Sequence, residues 1–194
     1  MSEIIRQRIV ESISVKQSML ADGALLAQLK QVSGDCIDAL RQGGKVMFAG
    51  NGGSFADAQH LAAEFTSRLL FDRSPLPALA LGTNSSAMSA IGNDYGYHQV
   101  FARELRGIAK PQDIFIGLST SGNSPNLLAA IDQAQELGLR HMAWTGRTGG
   151  ELDGRCECLK VPSTETPRIQ ECHILLGHIL CELVESHLFS QGPR

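Results

Sequence analysis

From residue 45 onward the chain alternates short apolar runs with longer amphipathic stretches, and this constrains the fold more than any other feature. Residues 45–49, 78–81, 113–118, 140–144 and 159–161 read as strands, rich in Val, Ile, Leu, Phe and Met. Residues 54–70, 85–92, 97–108, 124–138 and 167–189 read as helices from the spacing of their apolar positions. Such alternation predicts right-handed crossovers and a parallel sheet with helices on both faces. In sheets of that kind ligands bind beyond the carboxyl ends of the strands, near the topological switch point. Ligand-binding loops are therefore expected at 50–54, 82–85, 119–124 and 145–150.

Two further helices precede the first strand, at 2–20 and 23–41, and the second is stopped by Gly43-Gly44. Their apolar faces need a partner, either the chain's own sheet or another subunit. At 194 residues, one domain is expected over 1–194. Lys and Arg number 17 against 20 Asp and Glu, a formal net charge of −3, so nothing in the charge favours nucleic acid or an anionic membrane. No run of about 18 apolar residues predicts a membrane span, and residues 1–17 carry charges throughout, unlike a signal peptide. A cytoplasmic protein is expected. The five cysteines (Cys36, Cys156, Cys158, Cys172, Cys181) are odd in number and scattered, as structural thiols in a reducing compartment would be.

Two of the loops are built like anion cradles. Ser119-Thr120-Ser121-Gly122-Asn123-Ser124 follows the third strand and runs into a helix N-terminus. Its hydroxyls, its glycine and the free N–H groups of the first helical turn are what a phosphate dianion needs. The plainer alternative is a Ser-rich turn with Ser124 as N-cap and Pro125 in the first turn. Gly50-Asn51-Gly52-Gly53-Ser54 occupies the same position after the first strand. It is neither a dinucleotide fingerprint, since Phe55 stands at the third glycine's place, nor a nucleotide P-loop. Neither loop contains Lys or Arg, so helix dipoles and hydroxyls would carry the anion.

His60 and Glu64 lie one turn apart on one helix face. Gln170 and His178, eight residues apart at ~100° per residue, fall on roughly one face of the final helix. An imidazole with a carboxylate one turn away suits a divalent ion and an acid–base pair equally; on spacing alone a surface ion pair is the plainer reading. Arg68, one further turn along, is placed to reach a phosphate or Glu64, or to be a solvated charge.

The segments GNGGSFADAQHLAAEFTSR (50–68), AIGNDYGY (90–97), STSGNS (119–124), TGRTGGEL (145–152) and RIQECHILLGHILCELVE (168–185) together resemble the sedoheptulose-7-phosphate isomerases, a family of sugar isomerase (SIS) domain proteins. The resemblance implies a three-layer α/β/α SIS domain with a five-stranded parallel sheet over 43–190. It implies that helices 1–42 serve oligomerisation, in a homotetramer. It implies conversion of D-sedoheptulose 7-phosphate to D-glycero-D-manno-heptose 7-phosphate, the first step toward ADP-heptose for lipopolysaccharide core. It carries phosphate contact to Ser119, Thr120, Ser121 and Ser124, and sugar contact to Asn51, Gly52, Gly53, Asn93 and Asp94, with Ser54, Arg68 and Gln170 beside them. It carries one zinc ion per subunit to His60, Glu64, Gln170 and His178, and the catalytic base and acid to Glu64 and His178. Phe55 replaces a small residue common in the family without touching a functional position. Relatives that bind a sugar phosphate or the replication initiator without chemistry form the alternative class, and they tend to lack the Glu and His. Other phosphosugars, and a GDP-heptose route, stay open.

Overall fold

The computed structural model describes residues 1–189; the tail 190–194, expected to fray, lies outside the described residues. Five strands, β1 (Val46–Gly50), β2 (Ala78–Ala80), β3 (Ile114–Ser119), β4 (Arg140–Thr145) and β5 (Cys158–Lys160), form one parallel sheet in the order β2-β1-β3-β4-β5. The helices are α1 (Ser2–Ala21), α2 (Gly23–Arg41), α3 (Gly53–Thr66), α4 (Ser85–Tyr95), α5 (Val100–Ile108), α6 (Pro125–Glu136) and α7 (Thr166–Phe189). Short 3₁₀ turns at Tyr97–Gln99 and Gly150–Gly154 complete the described chain.

The central strands are buried along their whole length, which is why they read as continuous apolar runs. Alternate side chains divide between two cores. Val46 and Phe48 of β1 join Ile114, Ile116 and Leu118 of β3 against α2, α3 and α7. Met47, Ala49 and Phe115 face the other way, onto α5 and α6. The result is the expected three-layer arrangement. The chain leaves β1 toward β2 on one side and passes to β3 on the other, so the switch point lies between β1 and β3. Gly50 pairs in register with Leu118, which sets the Gly-rich turn and the Ser-rich loop side by side at that crevice.

Two helix ends differ most from the sequence reading. Helix α3 stops at Thr66 instead of running to residue 70. Arg73, buried with Glu185, donates to the carbonyls of Glu64 and Phe65 at 2.8 Å each and of Ser67 at 3.2 Å. Glu185 in turn accepts from the N–H groups of Leu69 and Leu70 at 3.0 and 2.9 Å and from Arg73 Nε at 2.9 Å. This clamp satisfies the last carbonyls of α3 in place of another helical turn. Helix α4 runs through Gly92-Asn93-Asp94, which the sequence reading takes as a break, and ends only at Gly96. Asn84 caps its start by accepting from Ala87 N–H at 3.1 Å.

Helix α1 docks on α7 through polar contacts: Ser12 to Glu171 at 2.7 Å and Arg168 to the Arg8 carbonyl at 2.6 Å. Of its residues only Met19 is buried, while Ile4, Ile5, Ile9, Val10 and Ile13 stay exposed. The chain's own sheet is therefore not the partner of that face. Helix α7 has a mean hydropathy of 1.2 over its most apolar 18 residues. Its buried side chains, among them Ile169, Leu176, Leu180 and Val184, are spent on the core. All five cysteines are free thiols.

Candidate active site

Helices α3 and α7 run parallel and in close register, and that packing assembles the site. The side chain of Leu61, fully buried, occupies the space a Cβ on Gly177 would need. With no side chain at 177 the two helices approach closely, and the neighbours of these residues, His60 and His178, meet. Their Nε2 atoms are 2.9 Å apart and the rings stand edge to face, 5.1 Å between centroids. Glu64, one turn along α3, brings Oε1 to 3.3 Å from His60 Nε2. One donor atom from each of His60, Glu64 and His178 lies within 4.8 Å of the other two. Glu64 and His178 are half-buried; His60 is exposed.

Two imidazoles and a carboxylate converging this way are a fitting donor set for a zinc-like divalent ion with positions left for substrate. Asp57, one turn before His60, strengthens the fit. Its Oδ2 is buried with no hydrogen-bond partner in the protein. Burial raises its carboxyl above the ordinary carboxylate range, and the nearby His60 and His178 partly offset that. Its charge lies beside the two imidazoles, where a bound cation would offset it. The i, i+3 spacing from His60 could have flagged Asp57 in the sequence.

Gln170 lies elsewhere on the same helix pair. Its side-chain amide sits over Gly53, 2.5–2.9 Å from where a Cβ would project. At 1.5 Å rise per residue, its backbone is about 12 Å from that of His178 along α7. Gln170 therefore joins the Gly-rich turn at the start of α3. The three clustered donors come from His60, Glu64 and His178.

The Ser-rich loop sits at the switch point as expected. Ser119 Oγ and Ser124 Oγ are 3.1 Å apart, and Ser119 Oγ also accepts from Gly122 N–H at 3.1 Å. Ser121 Oγ accepts from Asn123 N–H at 3.2 Å, and Gly146 N–H donates to the Thr120 carbonyl at 3.1 Å. Ser124 occupies the N-cap position of α6 with Pro125 in the first turn, yet its hydroxyl makes no cap bond and turns toward Ser119. The cap alternative is therefore incomplete, and the hydroxyl belongs to the loop. Gly122 has φ of +70°, and a Cβ there would collide with the Gly149 backbone, so the loop is pressed flat against 149–150.

On the first loop, Asn51 exchanges two hydrogen bonds with Asn126 of α6, at 2.9 and 2.8 Å. Tyr97 donates its hydroxyl to Asn51 Oδ1 at 3.2 Å. Gly52 and Gly53 are exposed, while Ser54 is buried in the first turn of α3. Asn93 and Asp94 share a hydrogen bond of 2.8 Å on the last turn of α4, a helix with no buried residue. Arg68 lies beyond the end of α3, exposed, one residue after the Ser67 cap. The helical register that would place it beside Glu64 is lost. Asn126 and Tyr97 escaped the sequence reading because nothing in the spacing of 51, 97 and 126 shows that they meet.

The SIS domain profile matches residues 14–146. Phosphoheptose isomerase from Aneurinibacillus thermoaerophilus is 50% identical over 190 residues, 97% of this chain and 96% of that protein. Among solved structures, phosphoheptose isomerase GmhA from Neisseria gonorrhoeae superposes with a TM-score of 0.88 at 40% identity, covering 95% of this chain and 98% of that one. The phosphoheptose isomerase of Francisella tularensis gives 0.90 at 34% identity, covering 95% and 97%. A sheet of this order, a hydroxyl-lined loop at its switch point and full-length likeness at this level lead to one conclusion: the chain belongs to the SIS-domain family and, within it, to the phosphoheptose isomerases.

Proposed function

We propose that the protein isomerises D-sedoheptulose 7-phosphate to D-glycero-D-manno-heptose 7-phosphate through an enediol. The observation that carries this is the convergence of His60, Glu64 and His178 on one point, on a chain that shares half its residues with a phosphoheptose isomerase. Members of the fold that only bind would have no need of that donor set.

Ketose–aldose isomerisation moves a proton between C1 and C2. The carbon acid is weak, so a base within hydrogen-bond reach is required, and the developing oxyanion needs stabilisation. Glu64 is assigned as the base. His178, 2.9 Å from His60, is assigned as the acid that exchanges protons with the sugar oxygens. Ser119, Thr120, Ser121 and Ser124 would bind the phosphate, with the N-terminus of α6 supplying the positive end of its dipole. That remote binding fixes the reacting carbons against Glu64. Asn51, Gly52, Gly53, Ser54, Asn93, Asp94 and Gln170 would contact the sugar, and Arg68 would neutralise charge at the rim. A zinc ion held by His60, Glu64 and His178 would supply Lewis acidity toward the carbonyl.

The proposal extends to a cytoplasmic homotetramer with one zinc per subunit, feeding ADP-heptose synthesis for lipopolysaccharide. The exposed apolar face of α1 supports subunit packing through 1–42. Replacing Glu64 by Gln tests the assignment: turnover is expected to fall about 10³-fold or more, while sedoheptulose 7-phosphate still binds by calorimetry. Full activity in that variant removes Glu64 as the base.

A further inference from the structure

We propose that Asn126 is a positioning residue for this site: it holds the Asn51 side chain, and through it Tyr97, in the one orientation that joins the two anion loops to α4. This rests on the isomerase reading given above.

Asn126 is the second residue of α6 and is 2% exposed. A buried amide is costly unless it is hydrogen-bonded, and Asn is a poor helix former, so local structure gives no reason for it. Its bonds give one. Asn51 Nδ2 donates to Asn126 Oδ1 at 2.9 Å, and Asn126 Nδ2 donates to Asn51 Oδ1 at 2.8 Å. The two amides close a ring in which each oxygen faces a nitrogen. Tyr97 donates its hydroxyl to the same Asn51 oxygen at 3.2 Å, so both lone pairs of that oxygen are committed. Turning the Asn51 amide over alone would set oxygen against oxygen and nitrogen against nitrogen across the ring. One hydrogen of Asn51 Nδ2 is left for a ligand.

Three segments meet at this ring: the Gly-rich turn after β1, the first turn of α6 beneath the Ser-rich loop, and the 3₁₀ turn that follows α4. Helix α4 has no buried residue of its own, so the Tyr97 bond is a direct tie between its end and the sheet crevice. Asn126 touches no reacting atom in this scheme. It acts by fixing Asn51, so that the phosphate end and the sugar end of the site keep one spacing.

The test is a double-mutant cycle on kcat/KM for sedoheptulose 7-phosphate, with thermal midpoints measured alongside. Asn126→Asp keeps the volume but removes the donor, which sets oxygen against Asn51 Oδ1. It is expected to lower kcat at least tenfold; misplacements of this kind cost up to about 10²-fold. Tyr97→Phe removes one hydroxyl from a half-exposed side chain and folds normally. It is expected to lower kcat/KM about three- to tenfold in the natural background, the worth of one hydrogen bond. In the Asn126→Asp background it is expected to have little effect, because the Asn51 amide, repelled by the carboxylate, no longer holds its oxygen against Tyr97. A merely structural Asn126 would lower the melting midpoint and leave the two kinetic effects additive. Additive effects, a natural kcat in Asn126→Asp, or a natural kcat/KM in Tyr97→Phe would each overturn the inference. Should Asn126→Asp not fold, Asn126→Ser takes its place in the cycle, and Tyr97→Phe alone still decides against the inference if its rate is unchanged. If the unsubstituted protein fails to turn over the sugar phosphate, the isomerase reading itself is overturned; active protein indifferent to these changes overturns only the role of Asn126.

Discussion

Asp57 is a carboxyl kept where burial works against its charge, beside two rings whose charge would relieve it. Its raised pKa means that the folded protein binds a proton there more readily than the unfolded chain does. Stability therefore falls as pH rises from the ordinary carboxylate range through the raised value, and the deficit is present in full at neutral pH. Asp57→Asn removes that deficit. In the metal-free protein at pH 7 the melting midpoint is expected to rise, and the gain to shrink as the pH is lowered toward 4. A lower midpoint at pH 7 would mean that the carboxylate is already neutralised by the histidines. The order of sites along α3 was readable in the sequence at this scale: His60 and Glu64 stand one turn apart, as their spacing requires. The meeting of His60 with His178 was not, because it depends on how Leu61 seats against Gly177, 116 positions away in the chain.

At the scale of elements, the close approach of α3 and α7 makes the site. Gly177→Ala sets a methyl group into the buried Leu61 side chain, and overpacking of this kind costs about 1–3 kcal/mol. The expected result is an earlier urea midpoint together with a lower kcat, as His60 and His178 separate. A stability loss with an unchanged kcat would show that the histidine spacing does not depend on this contact. The parallel sheet, its strands and most helices were legible because buried strands in such sheets are continuous apolar runs and the helices between them are amphipathic. The end of α3 was not, since the Arg73–Glu185 clamp that ends it joins residues 112 positions apart in sequence. Helix α4 misled for a local reason. Gly92-Asn93-Asp94 has the composition of a turn, but only Gly96, with φ of +87°, adopts the backbone that ends the helix.

For the molecule as a whole, acid sensitivity follows from His173. The ring is fully buried beside Trp144, with centroids 6.3 Å apart, and its Nε2 lies 3.3 Å from the Thr145 carbonyl. Burial lowers its pKa to about 4, and the Thr145 bond offsets this only in part. The unfolded chain takes up a proton at about pH 6.5 and the folded protein does not. Stability is therefore full above that value, falls as pH drops toward 4, and levels off below. A shift of this size is worth on the order of 3 kcal/mol. Urea titrations at pH 7 and pH 4.5 should show that loss, and His173→Phe should reduce it; a pH-independent midpoint would contradict it.

The exposed isoleucines of α1 and the open α3–α7 site are features of the same chain, and the central claim joins sheet, loop and donor set into one proton-transfer site. It is tested most directly by incubating the protein with sedoheptulose 7-phosphate in deuterium oxide and following the sugar by proton NMR, with and without a chelator. The predicted result is an aldose phosphate carrying deuterium at C2, formed at a rate that collapses with chelator and returns with zinc. A sugar phosphate that binds but stays a ketose throughout would contradict it and leave a receptor in place of an isomerase.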